Sequence, residues 1–245
     1  VGLTSDKIVI NGGKPLRGYW ALAAALKRAV EEGVPVWDAA WMAGVDAEAL
    51  AHVLRGRNQI PLPDQRLAHL HELGQGLLAR WDGRFTNLID ACQGSAITLA
   101  AALPKAFPNF EDVRSYEGRT IRLYKRAQIL PADLWGAFGG QGPGAFHDIA
   151  GLTAFADYKV PQVLEALGVL RYDAGLVAKL QAGTELTPGS AEEVELRALT
   201  IHGVERLREA LAERGRPMTA IEVDWILWEL GLRPDVRFKP YHLTR

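Results

Sequence analysis

The sequence predicts a mainly α-helical protein with one or two short β-hairpins. Five or more segments carry apolar residues at helical spacing, whereas only two short segments have the character of strands. The chain has 245 residues, of which 48% are hydrophobic and 23% charged, so it can bury a substantial core. We expect one helical domain over residues 1–245.

The first half of the chain predicts a short strand or hairpin followed by several helices. A β-like run ends in a glycine turn within residues 7–14. Asp46 is a predicted N-cap, and two prolines stand at the entrance of a longer helix. The predicted helical segments are 18–33, 47–54, 62–78 and 85–103, the last of which forms one or two helices.

The second half predicts one more β-like segment and then further helices. Alternation after a turn indicates strand structure within 116–124. A glycine-rich loop follows at 139–144, and we interpret it as a surface loop because no strand precedes it and Pro143 lacks a backbone donor. The predicted helices are 125–138, a short one within 148–156, 161–170 with a break at Gly168, 176–180, a capping-box helix from Ser190 to about Glu213, and 219–231.

Charge and cysteine content exclude several classes of protein. Lysine and arginine number 28 and acidic residues 29, so no net field draws the whole protein onto a polyanion, and we expect no stable nucleic-acid complex. The single cysteine, Cys92, excludes an internal disulfide and fits a cytoplasmic protein. Neither a membrane-spanning run nor a signal peptide is present, so we expect no membrane association.

The predicted helix at 219–231 carries an acid in an apolar stripe. At about 100° per residue, Asp224 lies beside Trp228 and Leu227, with Trp225 on the same apolar side. Burial of an unpaired carboxylate is costly, so Asp224 needs a cation, a donor or a ligand. One hypothesis is a structural ion pair with an arginine, and the other is a catalytic or ligand-holding acid.

A second acid, Asp157, stands between two aromatic residues and is followed by Lys159 and Pro161. One interpretation is an aspartate that caps a turn at a helix end. The other is a binding site in which Phe155 or Tyr158 stacks on a planar ring while Asp157 accepts hydrogen bonds from the ring edge.

Other residue types give weaker indications. Lys125 and Arg126 are candidates to bind an anion such as phosphate, and either is also a candidate partner for Asp224. The six histidines show no metal-binding spacing, and no serine or cysteine nucleophile motif is present. We therefore expect no metal and no other cofactor.

Five blocks of sequence point to one known family. They are Gly18–Ala29, Tyr124–Leu130, Phe155–Leu164, Glu193–Ala198 and Val223–Glu229. In this order they resemble the queuosine salvage protein family, the queuosine 5′-monophosphate N-glycosylases, over nearly the whole chain. The resemblance implies a helical fold related to helix-hairpin-helix DNA glycosylases. It also implies hydrolysis of queuosine 5′-monophosphate to queuine, a small-molecule substrate, for tRNA modification.

The resemblance gives the acids chemical roles. Asp157 suits the N–H edge of a 7-deazaguanine, and Asp224 suits the positive charge that develops on the ribose as the N-glycosidic bond breaks. Because this base lacks N7, protonation there cannot assist its departure. Glu229 is the rival catalytic acid, and it lies about 140° from Asp224 on an ideal helix. The expected substrate-binding residues are Phe155, Asp157, Tyr158, Lys159, Trp225, Trp228, Lys125 and Arg126.

Two departures from the family pattern accompany the resemblance. Lys159 stands where arginine is commoner in the family. An aromatic-rich N-terminal segment of the family is not seen before Val1, so the pocket of this chain is incomplete if that segment contributes to it. Two other functions stay open: a nucleic-acid glycosylase, and a non-catalytic queuine-binding or carrier protein.

Overall fold

A computed structural model describes residues 9–11, 14–58 and 60–233. Within these ranges the protein is mainly helical, as the sequence predicts, and its strands form two antiparallel hairpins. Strand β1 (Val9–Asn11) pairs with β2 (Lys14–Leu16), and β3 (Val113–Tyr116) pairs with β4 (Arg119–Arg122). The prediction of a first hairpin is therefore confirmed, although residues 7, 8, 12 and 13 of that segment lie outside the described ranges.

The chain divides after Ala91 into two compact units. In the first unit, small residues on one face of the first helix pack against the next loop and helices, with Ala21, Ala25 and Ala29 almost fully buried. The predicted caps and proline entrance occur as expected, since Asp46 accepts a hydrogen bond from Ala49 at 2.8 Å. The helices of this unit are α1 (Gly18–Glu31), α2 (Ala39–Gly44), α3 (Ala47–Val53), α4 (Pro63–Arg80) and α5 (Phe85–Ala91).

The second unit contains the longer helices and the second hairpin. Its glycine-rich segment is a loop, as predicted, with one 3-10 turn at Gly142–Gly144. Two other 3-10 turns lie at Pro108–Phe110 and Ile149–Gly151, the latter where a short helix is predicted. The helices are α6 (Ala96–Ala106), α7 (Lys125–Ala137), α8 (Val160–Ala166), α9 (Ala174–Gln181), α10 (Ala191–Glu213) and α11 (Ala220–Leu232).

Two helix boundaries differ from the prediction at prolines. Helix α6 continues through Pro104 to Ala106, because a proline this close to a helix end removes only one hydrogen bond. Helix α8 begins at Val160, before Pro161, since a first-turn residue needs no intrahelical N–H bond. It ends at Ala166, just before the predicted break at Gly168, which takes a φ of 75°.

Helix α11 begins with the predicted capping box. The Thr219 hydroxyl accepts from the Glu222 amide at 3.3 Å, and the Glu222 carboxylate accepts from the Thr219 amide at 2.8 Å. Val223 and Leu227 of this helix join the core that α8 and α10 also build. This packing places Asp224, which lies between them in sequence, inside the second unit.

No helix in the described ranges is both long and apolar enough to cross a membrane.

Helix α4 crosses α2 at a glycine, and this close approach gives a test of the packing. A Cβ at Gly74 would lie 2.4 Å from the Ala43 amide nitrogen and 2.5 Å from the Ala39 carbonyl oxygen. We expect Gly74→Ala to lower the free energy of unfolding by about 2 kcal/mol or more, measured by urea denaturation. Gly44→Ala is the matched control, because nothing lies within 4 Å of its Cβ position. Equal free energies of unfolding for the two variants would contradict this close approach of α2 and α4 at Gly74.

Candidate active site

Two buried aspartates from separate parts of the second unit form the centre of the site. Asp224 of α11 is 3% exposed and Asp157 is 9% exposed. One oxygen of Asp224 accepts from the Phe155 amide at 2.9 Å. One oxygen of Asp157 accepts from the amides of Lys159 and Val160, both at 2.8 Å. Among the hydrogen bonds of the described residues, the second oxygen of each carboxyl has no protein donor.

The electrostatic environment favours the protonated form of the pair. Burial raises the pKa of Asp224 to about 8, and the Asp157 carboxyl adds to this rise, while the Phe155 amide and the Lys125 ammonium oppose it. Burial also raises the pKa of Asp157, against the opposing effect of Lys125, of its two amide donors and of Lys159. Two neighbouring buried carboxyls titrate as a coupled pair, so the pair retains a proton at neutral pH.

The structure tests the two structural interpretations of these acids, an arginine ion pair for Asp224 and a turn cap for Asp157. Among the described residues no arginine forms an ion pair with Asp224, so its partner is a backbone amide rather than a guanidinium. Asp157 does cap a turn, because it accepts the first free amides at the start of α8, and that interpretation is confirmed. The binding role of Asp157 stays a prediction. The cap uses only one of its two oxygens, so the cap does not conflict with that role.

Lys125 and Arg126 are adjacent in sequence but face different surroundings. The ammonium of Lys125 acts on both carboxyls of the pair. The guanidinium of Arg126 instead lies 5.8 Å from the centre of the Phe110 ring and donates to the Asn109 carbonyl. The structure therefore brings Lys125 to the acid pair and Arg126 to the 3-10 turn at Pro108–Phe110.

The aromatic residues around Asp157 differ in accessibility. Phe155 is 5% exposed and belongs to the core, whereas Tyr158 is 39% exposed. The Lys159 ammonium lies 5.7 Å from the centre of the Tyr158 ring. The stem of Lys159 packs on Gly231, where a Cβ would come within 2.7 Å of it. Of the two predicted stacking residues, Tyr158 is thus the one with an accessible ring.

The predicted residues on the C-terminal helix fall on two sides of it. Trp225 stacks with Trp135, with ring centres 6.0 Å apart, along an open groove of about 590 Å³ that Glu229 also lines. Glu229 is exposed there, whereas Asp224 is buried. Trp228 is partly buried against the core built by α8, α10 and α11. The structure therefore separates Glu229 and Trp225 from the acid pair.

Sequence reasoning assigned no role to Arg197 or Asp112, which join several parts of the site. Buried Arg197 donates to the Ala156 carbonyl at 3.0 Å and to the two carboxylate oxygens of Asp112 at 2.9 and 2.5 Å. Asp112 in turn accepts from the Lys125 amide at 3.1 Å. The sequence does indicate one part of this network: Glu193 and Arg197 are four residues apart, a spacing that favours an ion pair on a helix, and they pair at 3.0 Å.

Gln128 of α7 is another residue that sequence reasoning missed. Its amide group donates to the Leu123 carbonyl at 3.0 Å, and its oxygen accepts from the Thr153 amide at 2.9 Å. The Gln128 side chain therefore holds the segment that leads to Phe155. In this way it also positions the Phe155 amide, which donates to Asp224.

The part of the chain that the structure describes contains no group of three or more histidine, cysteine, aspartate or glutamate side chains able to hold a metal ion.

The raised pKa of Asp224 predicts how stability depends on pH. The unfolded carboxyl releases its proton near its ordinary value of 3.8, whereas the folded one keeps it up to about 8. The folded state therefore binds more protons across this window, and its stability falls as pH rises. We expect Asp224→Asn to lack this fall. The melting temperature of Asp224→Asn relative to that of the wild type should therefore rise from pH 4 to pH 8.

Glu229→Gln is the control for that measurement, because it removes an exposed carboxyl from the same helix. A melting-temperature difference between Asp224→Asn and the wild type that stays constant with pH would contradict the described environment of Asp224.

Comparison with known proteins gives the family of this chain. The sequence profile of the family described as "Queuosine salvage protein" matches residues 5–245. A protein of Sphaerobacter thermophilus is 52% identical over 228 residues, which are 93% of this chain and 71% of that protein. Relatives from Bos taurus and Dictyostelium discoideum are 39% and 36% identical, over 96% and 92% of this chain and 72% and 70% of their own lengths. All three carry the name queuosine 5′-phosphate N-glycosylase/hydrolase. This chain therefore belongs to the queuosine salvage protein family.

Proposed function

We propose that this chain hydrolyses the N-glycosidic bond of queuosine 5′-phosphate and releases queuine, and that Asp224 and Asp157 perform the reaction at their buried site. Family membership and the names of the relatives support the reaction. The observation that carries the assignment of the site is the buried acid pair, in which one oxygen of each carboxyl has no protein donor among the described residues.

Asp224 acts on the breaking bond. Cleavage of an N-glycosidic bond develops positive charge on the ribose, and a carboxylate near C1′ stabilises that charge or orients the attacking water. The base of queuosine lacks N7, so the enzyme cannot assist departure by protonating that position. The burial that makes Asp224 reluctant to ionise also makes its ionised form a strong stabiliser, because little water screens it.

Asp157 binds the base. Two backbone amides fix one of its oxygens, so its second oxygen has a defined direction for accepting an N–H of the 7-deazaguanine edge. Tyr158 offers an accessible ring for stacking, and Lys159 lies beside that ring. Lys125 balances the negative charge of the pair and thereby favours the ionised form of Asp224 that the reaction needs.

Glu229 is the weaker candidate for the reacting carboxylate. Its side chain is exposed in an open groove, where water screens its charge and reduces the stabilisation that it can give a cationic transition state. In this proposal Glu229, Trp225 and Trp228 lie outside the reacting centre.

The substrate is a free nucleotide rather than a nucleic acid. Balanced charge, with 28 basic and 29 acidic residues, supports this choice, because polynucleotide binding requires many phosphate contacts from basic side chains. The proposal includes a helical arrangement related to helix-hairpin-helix DNA glycosylases and action in the cytoplasm.

The first test measures release of free base by chromatography. Purified protein is incubated with queuosine 5′-phosphate, queuosine and guanosine 5′-phosphate, and we expect queuine from the first alone. Asp224→Asn and Asp157→Asn should each lower the rate by about 100-fold or more, because each removes a charged acceptor at the reacting site. Glu229→Gln should retain activity.

The outcomes of that assay separate the competing functions. Binding of queuine without release from the nucleotide would favour the carrier function. Full activity of Asp224→Asn, together with loss of activity in Glu229→Gln, would transfer the catalytic role to the exposed acid.

The pH dependence of kcat/KM tests the ionisation state that the reaction requires. Because Asp224 must be ionised and its pKa in the free protein is about 8, kcat/KM should rise with pH and level off above that value. A fall of kcat/KM as pH rises through this range would instead identify Asp224 as a proton donor.

A further inference from the structure

The guanidinium of Arg197 lies where three segments of the second unit meet. Its Nε donates to the Ala156 carbonyl at 3.0 Å, and its two terminal nitrogens donate to Asp112 at 2.9 and 2.5 Å. One of them also donates to Glu193, one turn earlier on α10, at 3.0 Å. Arg197 is 7% exposed, so these bonds account for a charge that is almost entirely removed from water.

Two of the contacts of Arg197 lead to the acid pair or to its cation, one through Ala156 and one through Asp112. Asp112 accepts from the Lys125 amide at 3.1 Å through its side chain and from the Leu123 amide at 3.0 Å through its carbonyl. Ala156 lies between Phe155, whose amide donates to Asp224, and Asp157. Arg197 therefore connects the start of α7 to the backbone that orients both aspartates.

We propose that Arg197 is a positioning residue for the reaction, which holds the Lys125 end of α7 and the Phe155–Asp157 segment at a fixed separation through Asp112 and Ala156. This inference rests on the proposed function, because the reaction is what gives that separation its importance.

The composition of the network argues against a purely stabilising role. Arg197 and Arg114 face Asp112 and Glu193, so the cluster is balanced in charge, and Arg114 lies 3.5 Å from each acid. A buried network of this kind is often no more stable than apolar packing of equal volume. The network does fix orientation, because a planar guanidinium donates several hydrogen bonds in fixed directions, which the ammonium of a lysine cannot do.

The charged groups that act on the acid pair show how a displaced segment would affect it. Among the described residues, these are Lys125 at the start of α7 and Lys159 before α8, together with the two aspartates themselves. Arg197 acts on the pair through the backbone rather than through its own charge. If the Lys125 end of α7 moves away, the ammonium stabilises the ionised carboxyls less, and Asp224 titrates at a higher pH.

The experiment compares Arg197→Lys and Asp112→Asn with Arg114→Met. Arg114 is the matched control, because it belongs to the same network but donates to neither Ala156 nor the Lys125 segment. The readouts are kcat, KM, melting temperature and the ¹³C titration of the Asp224 carboxyl, assigned by comparison with Asp224→Asn. The titration is independent of turnover.

We expect Arg197→Lys to lower kcat by about 100-fold with little change in KM, since a misplacement of about 1 Å has an effect of this size. The Asp224 titration should move upward by about half a pH unit or more. Asp112→Asn should change both quantities in the same direction. Arg114→Met should lower the melting temperature and leave kcat and the titration as in the wild type.

The opposite results would overturn the proposal. Wild-type kcat and titration in folded Arg197→Lys, or equal changes in Arg114→Met, would show that the network only stabilises the fold. If Arg197→Lys does not fold, Asp112→Asn decides by the same criteria. If the wild type releases no queuine, the proposed function fails, while the titration still shows whether Arg197 positions the pair.

Discussion

Two carboxyl groups are buried beside one another in the second unit, and no guanidinium neutralises either of them within the described part of the chain. The fold compensates with backbone amides: one from Phe155 for Asp224, and two from Lys159 and Val160 for Asp157. This compensation is incomplete, because burial still raises the pKa of both groups. Buried carboxyls with raised pKa values are typical of functional sites, and this is the physical basis for proposing that the substrate binds here.

The amides that hold the acids come from an irregular segment and from the first residue of α8, and side chains of three helices bind that segment. Gln128 of α7 bonds to Thr153, Asp224 of α11 to Phe155, and Arg197 of α10 to Ala156. Backbone polar groups that leave regular structure inside a protein need such partners. The same bonds that make the segment stable therefore fix the direction of the two carboxyls.

Sequence reasoning could predict the parts of this arrangement that depend on local pattern. Helix α11, its capping box and the position of Asp224 in an apolar stripe follow from residue spacing alone. The cap formed by Asp157 follows from its place before a helix with proline in the first turn. The helical character of the chain follows from the many amphipathic segments, and the hairpins from short alternating runs.

The rest depends on contacts between residues far apart in sequence. No pattern in the sequence pairs Asp112 with Arg197, which are 85 residues apart, or Gln128 with Thr153. The different surroundings of Lys125 and Arg126 depend on which one faces the core at the start of α7. Likewise, the angular separation of Asp224 and Glu229 was predictable, whereas the burial of one and the exposure of the other required the packing of α11 on its neighbours.

The central claim is that the base binds at the buried acid pair, and a crystal structure with queuine bound tests it most directly. We predict an N–H of the base edge within about 3 Å of the second oxygen of Asp157, a normal hydrogen-bond distance. The glycosidic nitrogen of the base should face the second oxygen of Asp224. Queuine bound instead between Trp135 and Trp225 in the open groove, with Glu229 beside it, would contradict the account.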